Sequence, residues 1–73
     1  MKSKKIEYAG ANILYDTTIL LLRRQNINIV ADLRLYLKHN SINSFLMFTG
    51  WNLRALRNLE AVCFVESIEY YYN

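Results

Sequence analysis

The sequence holds no proline, two glycines and one cysteine in 73 residues, and each scarcity excludes something. With no proline to preset a turn, eight asparagines are left to do much of the turn and capping work, since Asn tolerates positive φ and caps helices. Cys63 has no partner within the chain, which excludes an internal disulfide scaffold. His39 is the only histidine and has no Cys, Asp or Glu at ligand spacing, so no metal is expected. The same shortage leaves Cys63 without a base to activate it, and neither enzyme chemistry nor a cofactor is expected. The run Ile19 to Leu22 is four residues long and no apolar run exceeds five, against the roughly 18 that a bilayer span requires. The basic start Met1-Lys2-Ser3-Lys4-Lys5 meets Glu7 without any signal-peptide core. A soluble, cytoplasmic protein with no membrane partner is the expectation.

What is present is apolar and aromatic: 53% of residues are hydrophobic, including six Tyr, three Phe and Trp51. That excludes intrinsic disorder and leaves room for one small domain, which at this size hides only about 60% of its unfolded surface. So much apolar surface on a small body keeps a homodimer open. The net charge of +3 is unevenly spread. All nine basic residues fall in residues 1–58 with only Glu7, Asp16 and Asp32, a local net of +6, whereas residues 59–73 carry Glu60, Glu66 and Glu69 and no base. A basic body with an acidic tail suits a surface that meets a polyanion on one side.

Hydrophobic periodicity gives a basic N-terminal arm over residues 1–12 and a single small helical domain over 13–73. Within the arm, residues 2–10 read as irregular or a short strand, with Ile6 and Tyr8 alternating. Asp16 is placed to N-cap a helix running to about Gln25, apolar on most sides through Ile19 to Leu22 and therefore central, with Asn26 as its left-handed stop. A second helix over residues 29–38 carries Val30, Leu33 and Leu37 on one face. Ser41 opens a short helix over residues 42–48, and Thr49-Gly50-Trp51-Asn52 reads as a turn with Trp51 as a core lid. The clearest helix follows over residues 53–63. At 100° per residue, Leu53, Ala55, Leu56, Leu59, Val62 and Cys63 fill one half of its wheel. Arg54, Arg57 and Asn58 cluster on the other half. Residues 64–72 are ambiguous: β-branched and aromatic content favours a strand, and continuity favours more helix.

The segment Ile27-Asn28-Ile29-Val30-Ala31-Asp32-Leu33 resembles the "I-N-T-V-G-D-L" segment of the C-terminal domain of the bacterial RNA polymerase α subunit. Thr18 and Leu22 upstream, then Phe45-Leu46, Phe48, Gly50-Trp51-Asn52, Arg54, Leu56, Leu59, Cys63, Ile68 and Tyr70, extend the resemblance over residues 14–70. It implies a mainly α fold, a bundle of four to five short helices built on a helix-hairpin-helix. It also implies binding to the minor groove of AT-rich DNA and docking of transcription regulators. Thr17 and Leu20 stand where that family has an arginine and an asparagine. Asn52 replaces the second hairpin glycine and can still reach positive φ, and Leu53 replaces a lysine, while Arg54 keeps the second basic position. Residues 53–65 are also similar to the end of a winged helix-turn-helix recognition helix, with Cys63 in place of a glycine; that alternative implies an α+β fold with a C-terminal strand.

Both resemblances imply double-stranded DNA as the partner and place Arg54 and Arg57 on a DNA-facing helix; the helix-hairpin-helix reading gives a DNA surface of Gly50, Asn52, Arg54, Arg57 and Asn58. A tight turn followed by a helix N-terminus presents N–H groups and a favourable dipole to a phosphate. Arg23, Arg24 and the lysine arm (Lys2, Lys4, Lys5) are auxiliary phosphate contacts. The competing reading is a protein-interaction module, a homodimer or an adaptor for RNA polymerase or a regulator, that docks through Trp51 and the Tyr70-Tyr71-Tyr72 tail.

Overall fold

In the computed structural model, which describes residues 3–73, the chain runs through a 3-10 segment Ile6–Asn12, helix α1 (Asp16–Arg24), helix α2 (Val30–His39), a 3-10 helix Ile42–Met47 and helix α3 (Leu53–Val65). This is the mainly helical bundle of short elements that the sequence predicts. Among the described residues the only β feature is one antiparallel bridge, Lys5 with Ile29. The longest helix, α3, is the hub, packing against both 3-10 segments and α1. Its Leu59, Val62 and Cys63 meet Ile6, Leu22, Leu33, Leu37, Ile42 and Phe45 in one fully buried core.

The helix ends show why these segments stop where they do. Asn26 takes φ 61°; its N–H reaches the Arg23 carbonyl at 2.9 Å and the Ile27 N–H reaches that of Leu22 at 3.0 Å. That pair of bonds is a Schellman cap, and it turns α1 into the buried Ile27. The same cap ends α3 with a serine in the glycine position: Ser67 sits at φ 55°, and the Ile68 N–H bonds the Cys63 carbonyl at 2.9 Å. Asp32 accepts from the Asn28 and Ile29 N–H groups at 3.0 and 3.2 Å, holding the entry to α2. The face carrying Val30, Leu33 and Leu37 is buried as expected.

Several expectations are corrected. Residues 66–73 form neither strand nor further helix, so the winged-helix alternative loses its C-terminal strand. The cap at Ser67 reverses the chain, and the tail is then laid on the body by Ile42 N–H to the Tyr71 carbonyl at 2.9 Å and by the Tyr72 hydroxyl on Glu60. Helix α1 is not apolar-buried all round: Leu21 and Leu22 are buried, whereas Leu20 is 55% exposed. Asp16 is the first helical residue rather than the cap, which falls on Tyr15 with no side-chain bond. Leu53, expected on the inner half of α3, is exposed at its first turn.

The N-terminal segment is packed, not a free arm. The Ile6 N–H bonds the Asn28 carbonyl at 2.9 Å, and the Val30 N–H bonds the Lys4 carbonyl at 2.8 Å. Ile6 and Ala9 are fully buried. Gly10, at φ 59°, presses on α3 so closely that a Cβ would lie 2.9 Å from Val62 Cγ2 and 3.1 Å from its Cα. Lys2, expected to contribute to the lysine arm, lies outside the described residues.

Candidate nucleic-acid interface

The turn before α3 is anchored from behind. Trp51 is 8% exposed and stacks on Phe45 at 4.5 Å, which stacks in turn on Tyr36 at 4.4 Å. It is therefore the core lid that the sequence suggested, and it offers no surface for docking a partner. The Phe48 N–H to Phe45 carbonyl bond (3.0 Å) and the Trp51 N–H to Phe48 carbonyl bond (3.2 Å) close the loop. Gly50 is exposed with φ +90°, and a Cβ there would sit 2.8 Å from Leu21 Cδ2 and 3.8 Å from Arg24 Nη1. Only glycine meets both the backbone angle and the approach to α1. The Arg24 guanidinium lies beside the same turn.

Asn52 is extended, at φ −144°, rather than at positive φ, because it is the N-cap of α3. Its Oδ1 accepts the Ala55 N–H at 2.9 Å. The Leu53 and Arg54 N–H groups stay open at the helix start, as the first turn of any helix leaves them. No acidic residue lies in the first turn of α3, whereas α1 has Asp16 in its own. The positive end of the α3 dipole is thus the one without a built-in counter-charge.

Tyr15, Thr17, Thr18, Leu21, Gly50, Asn52, Arg54 and Ala55 line a cleft of about 240 Å³ between the starts of α1 and α3. The Arg54 guanidinium lies 4.6 Å from the Tyr15 ring centroid, a cation–π stack that holds an exposed charge at the rim. Thr18, fully buried, has a hydroxyl without a protein partner. The sequence offered Thr18 only through the resemblance, and Tyr15 not at all. A single tyrosine before a helix has no periodic signal.

The other proposed contacts do not gather here. Arg57 pairs with Glu60 at 2.9 Å, and Arg23 pairs with Glu7 at 2.9 Å. Asn58 is not on the outer face. It is 8% exposed, accepts the Tyr15 N–H and donates to the Ile13 carbonyl, both at 2.9 Å, so it braces the entry to α1 and is withdrawn as a DNA contact. Lys4 is engaged by Glu66 at 2.9 Å, and Lys5 is exposed beside Glu7 and Arg23. Of the sequence-selected residues, Gly50, Asn52 and Arg54 line this cleft, and Arg24 lies next to Gly50. Among the described residues no carboxylate pairs with Arg24 or Arg54.

Elsewhere the chemistry is quiet. Burial pushes the Cys63 thiol up to about 12, with the Glu60 charge adding to it and Arg34 opposing, so this sulfur stays protonated and behaves as a small hydrophobe. Burial, and secondarily Glu60, raises the Tyr70 phenol. Among the described residues no helix is long and apolar enough to cross a membrane. Comparison with protein-family models, with curated proteins and with solved structures finds no match.

Proposed function

We propose that the chain is a small DNA-binding protein that contacts duplex backbone and groove through the Gly50 turn and the first turn of α3. The observation that carries this reading is that Arg54 and the uncompensated N-terminus of α3 meet at one cleft beside the exposed Gly50 turn, with Arg24 next to that turn. Exposed N–H groups and a positive dipole end favour a phosphate oxygen, and an arginine beside them suits a narrow, electronegative minor groove. The resemblance to the RNA polymerase α C-terminal domain adds the helix-hairpin-helix reading. It also adds a role in transcription, by occupying DNA or by contacting the polymerase machinery.

A mobility-shift titration with an AT-rich duplex at low and moderate salt tests it. Binding is expected to fall steeply with salt, and replacing Arg24 and Arg54 by Ala should lower the salt slope by about 2, near 1 per lost phosphate contact. An unchanged slope in that double variant removes this surface from the account. The alternative, a protein-interaction module, draws on the large apolar side chains left in solvent, Phe64 at 86% and Met47 at 83%. No shift, together with a specific protein partner or a homodimer in solution, favours it.

A further inference from the structure

The basic side chains are held in place by groups of different kinds. Carboxylates hold Arg23, Arg57 and Lys4, through Glu7, Glu60 and Glu66, each at 2.9 Å, and a carboxylate neutralises the charge it fixes. Arg54 is held by a ring instead, its guanidinium carbon 4.6 Å from the Tyr15 centroid. An aromatic face attracts a cation through its quadrupole and has no net charge of its own. The guanidinium is therefore fixed with its unit charge and its planar fork of N–H donors still available. The ring is fixed in turn. Tyr15 precedes α1, and its N–H donates to Asn58 Oδ1 at 2.9 Å, while Asn58 Nδ2 donates to the Ile13 carbonyl at 2.9 Å. Asn58 is 8% exposed and stands one helical turn beyond Arg54 on α3. The backbone that carries the ring is thus tied to the helix that carries the arginine, and both Tyr15 and Arg54 line the cleft with Gly50 and Asn52.

We propose that Tyr15 is a positioning residue: its ring holds Arg54 at the rim of the cleft, charged and already ordered for a phosphate of the duplex, and Asn58 sets the ring. The inference rests on the DNA-binding reading above and goes beyond it by giving a task to two residues that touch no phosphate themselves. A long side chain loose on a surface samples many rotamers, and ordering it on binding weakens the complex. Here the ordering is completed when the chain folds. A carboxylate in place of the ring would order Arg54 equally well but would compete with the phosphate for its charge.

The test is a double-mutant cycle on binding of the full chain to an AT-rich duplex, read by fluorescence anisotropy over a range of salt. Tyr15→Leu should weaken binding about fivefold, the size expected when one long side chain must be ordered on binding. It should leave the salt slope at the wild-type value, because the same number of phosphates is neutralised. Arg54→Ala should lower the slope by about 1, and adding Tyr15→Leu to it should have no further effect. Tyr15→Phe keeps the aromatic face and should bind like wild type. A second readout needs no ligand: the Arg54 side-chain protons should resonate upfield, shielded by the ring, in wild type and Tyr15→Phe, and return to ordinary positions in Tyr15→Leu. Wild-type binding by Tyr15→Leu, an equal loss in the Arg54→Ala background, a Tyr15→Phe as weak as Tyr15→Leu, or unshifted Arg54 resonances in wild type overturns the positioning role and leaves the DNA reading standing. Absence of wild-type binding to the duplex overturns the DNA reading and the positioning role with it, even where the shifted resonances are present.

Discussion

Glu66 joins two distant parts of the chain. Its Oε2 accepts the Gly10 N–H at 2.7 Å and the Lys4 ammonium at 2.9 Å, with the side chain only 12% exposed. The Gly10 hydrogen bond first, then Lys4, with the charge of Arg34 also facing the group, holds this carboxyl below the usual carboxylate range. Glu66→Ala should cost about 1–3 kcal/mol, chiefly from the Gly10 N–H left without a partner. Because the folded chain prefers the carboxylate, the contribution is fully present above the ordinary carboxylate range and is lost as pH falls through the lowered value. Urea midpoints of wild type and variant should therefore differ at neutral pH and converge in acid. Gly10→Ala should cost more than most surface changes, at least about 1–3 kcal/mol for the strained backbone. The added Cβ would meet not only Val62 Cγ2 but also its Cα at 3.1 Å, and that backbone atom cannot rotate away. At Gly50 the clash is with the end of the Leu21 side chain, so Gly50→Ala is expected to be the milder of the two in thermal melts.

Helix boundaries divide into those written in side chains and those written in packing. Asn26 and Asn52 were legible because an asparagine beside an amphipathic run has a known use, and both sit at caps, although Asn52 caps the helix that follows instead of turning left-handed. The inner faces of α2 and α3 were legible from their 3.6-residue period, except where Leu53 begins α3 too early to be covered. The end of α3 was not legible, since serine has no preference for the left-handed region and only the burial of Ile68 after it makes the reversal worthwhile. That difference is testable. Ser67→Gly should stabilise by about 1 kcal/mol, because glycine adopts the same angle without the Cβ penalty, and a raised melting temperature by circular dichroism is the expected reading. The inward turn of Asn58 was equally hidden. Its partners are backbone groups of Ile13 and Tyr15, and nothing in a helical wheel announces them.

Over the whole molecule, the excess of positive charge is more concentrated than the composition suggests. Glu7, Glu60 and Glu66 each hold a base, Arg23, Arg57 and Lys4 respectively, so the cations not paired in this way decide where a polyanion is drawn. For that reason Arg54→Ala is expected to weaken duplex binding more than Arg57→Ala, whose side chain is already held by Glu60; a fluorescence-anisotropy comparison of the two at one salt concentration reads this directly. The acidic tail belongs to the same arrangement, since two of its three carboxylates face inward to ion pairs rather than outward to solvent. The aromatic stack behind the Gly50 turn also makes the chain report on itself. Its single indole is sealed in the interior with its ring N–H unpartnered, directly beneath the surface on which a ligand would sit. Intrinsic emission should accordingly be blue-shifted in the native state and move to longer wavelength on denaturation. Any ligand that strains the turn from above should alter its intensity, giving an optical gauge of occupancy without a label.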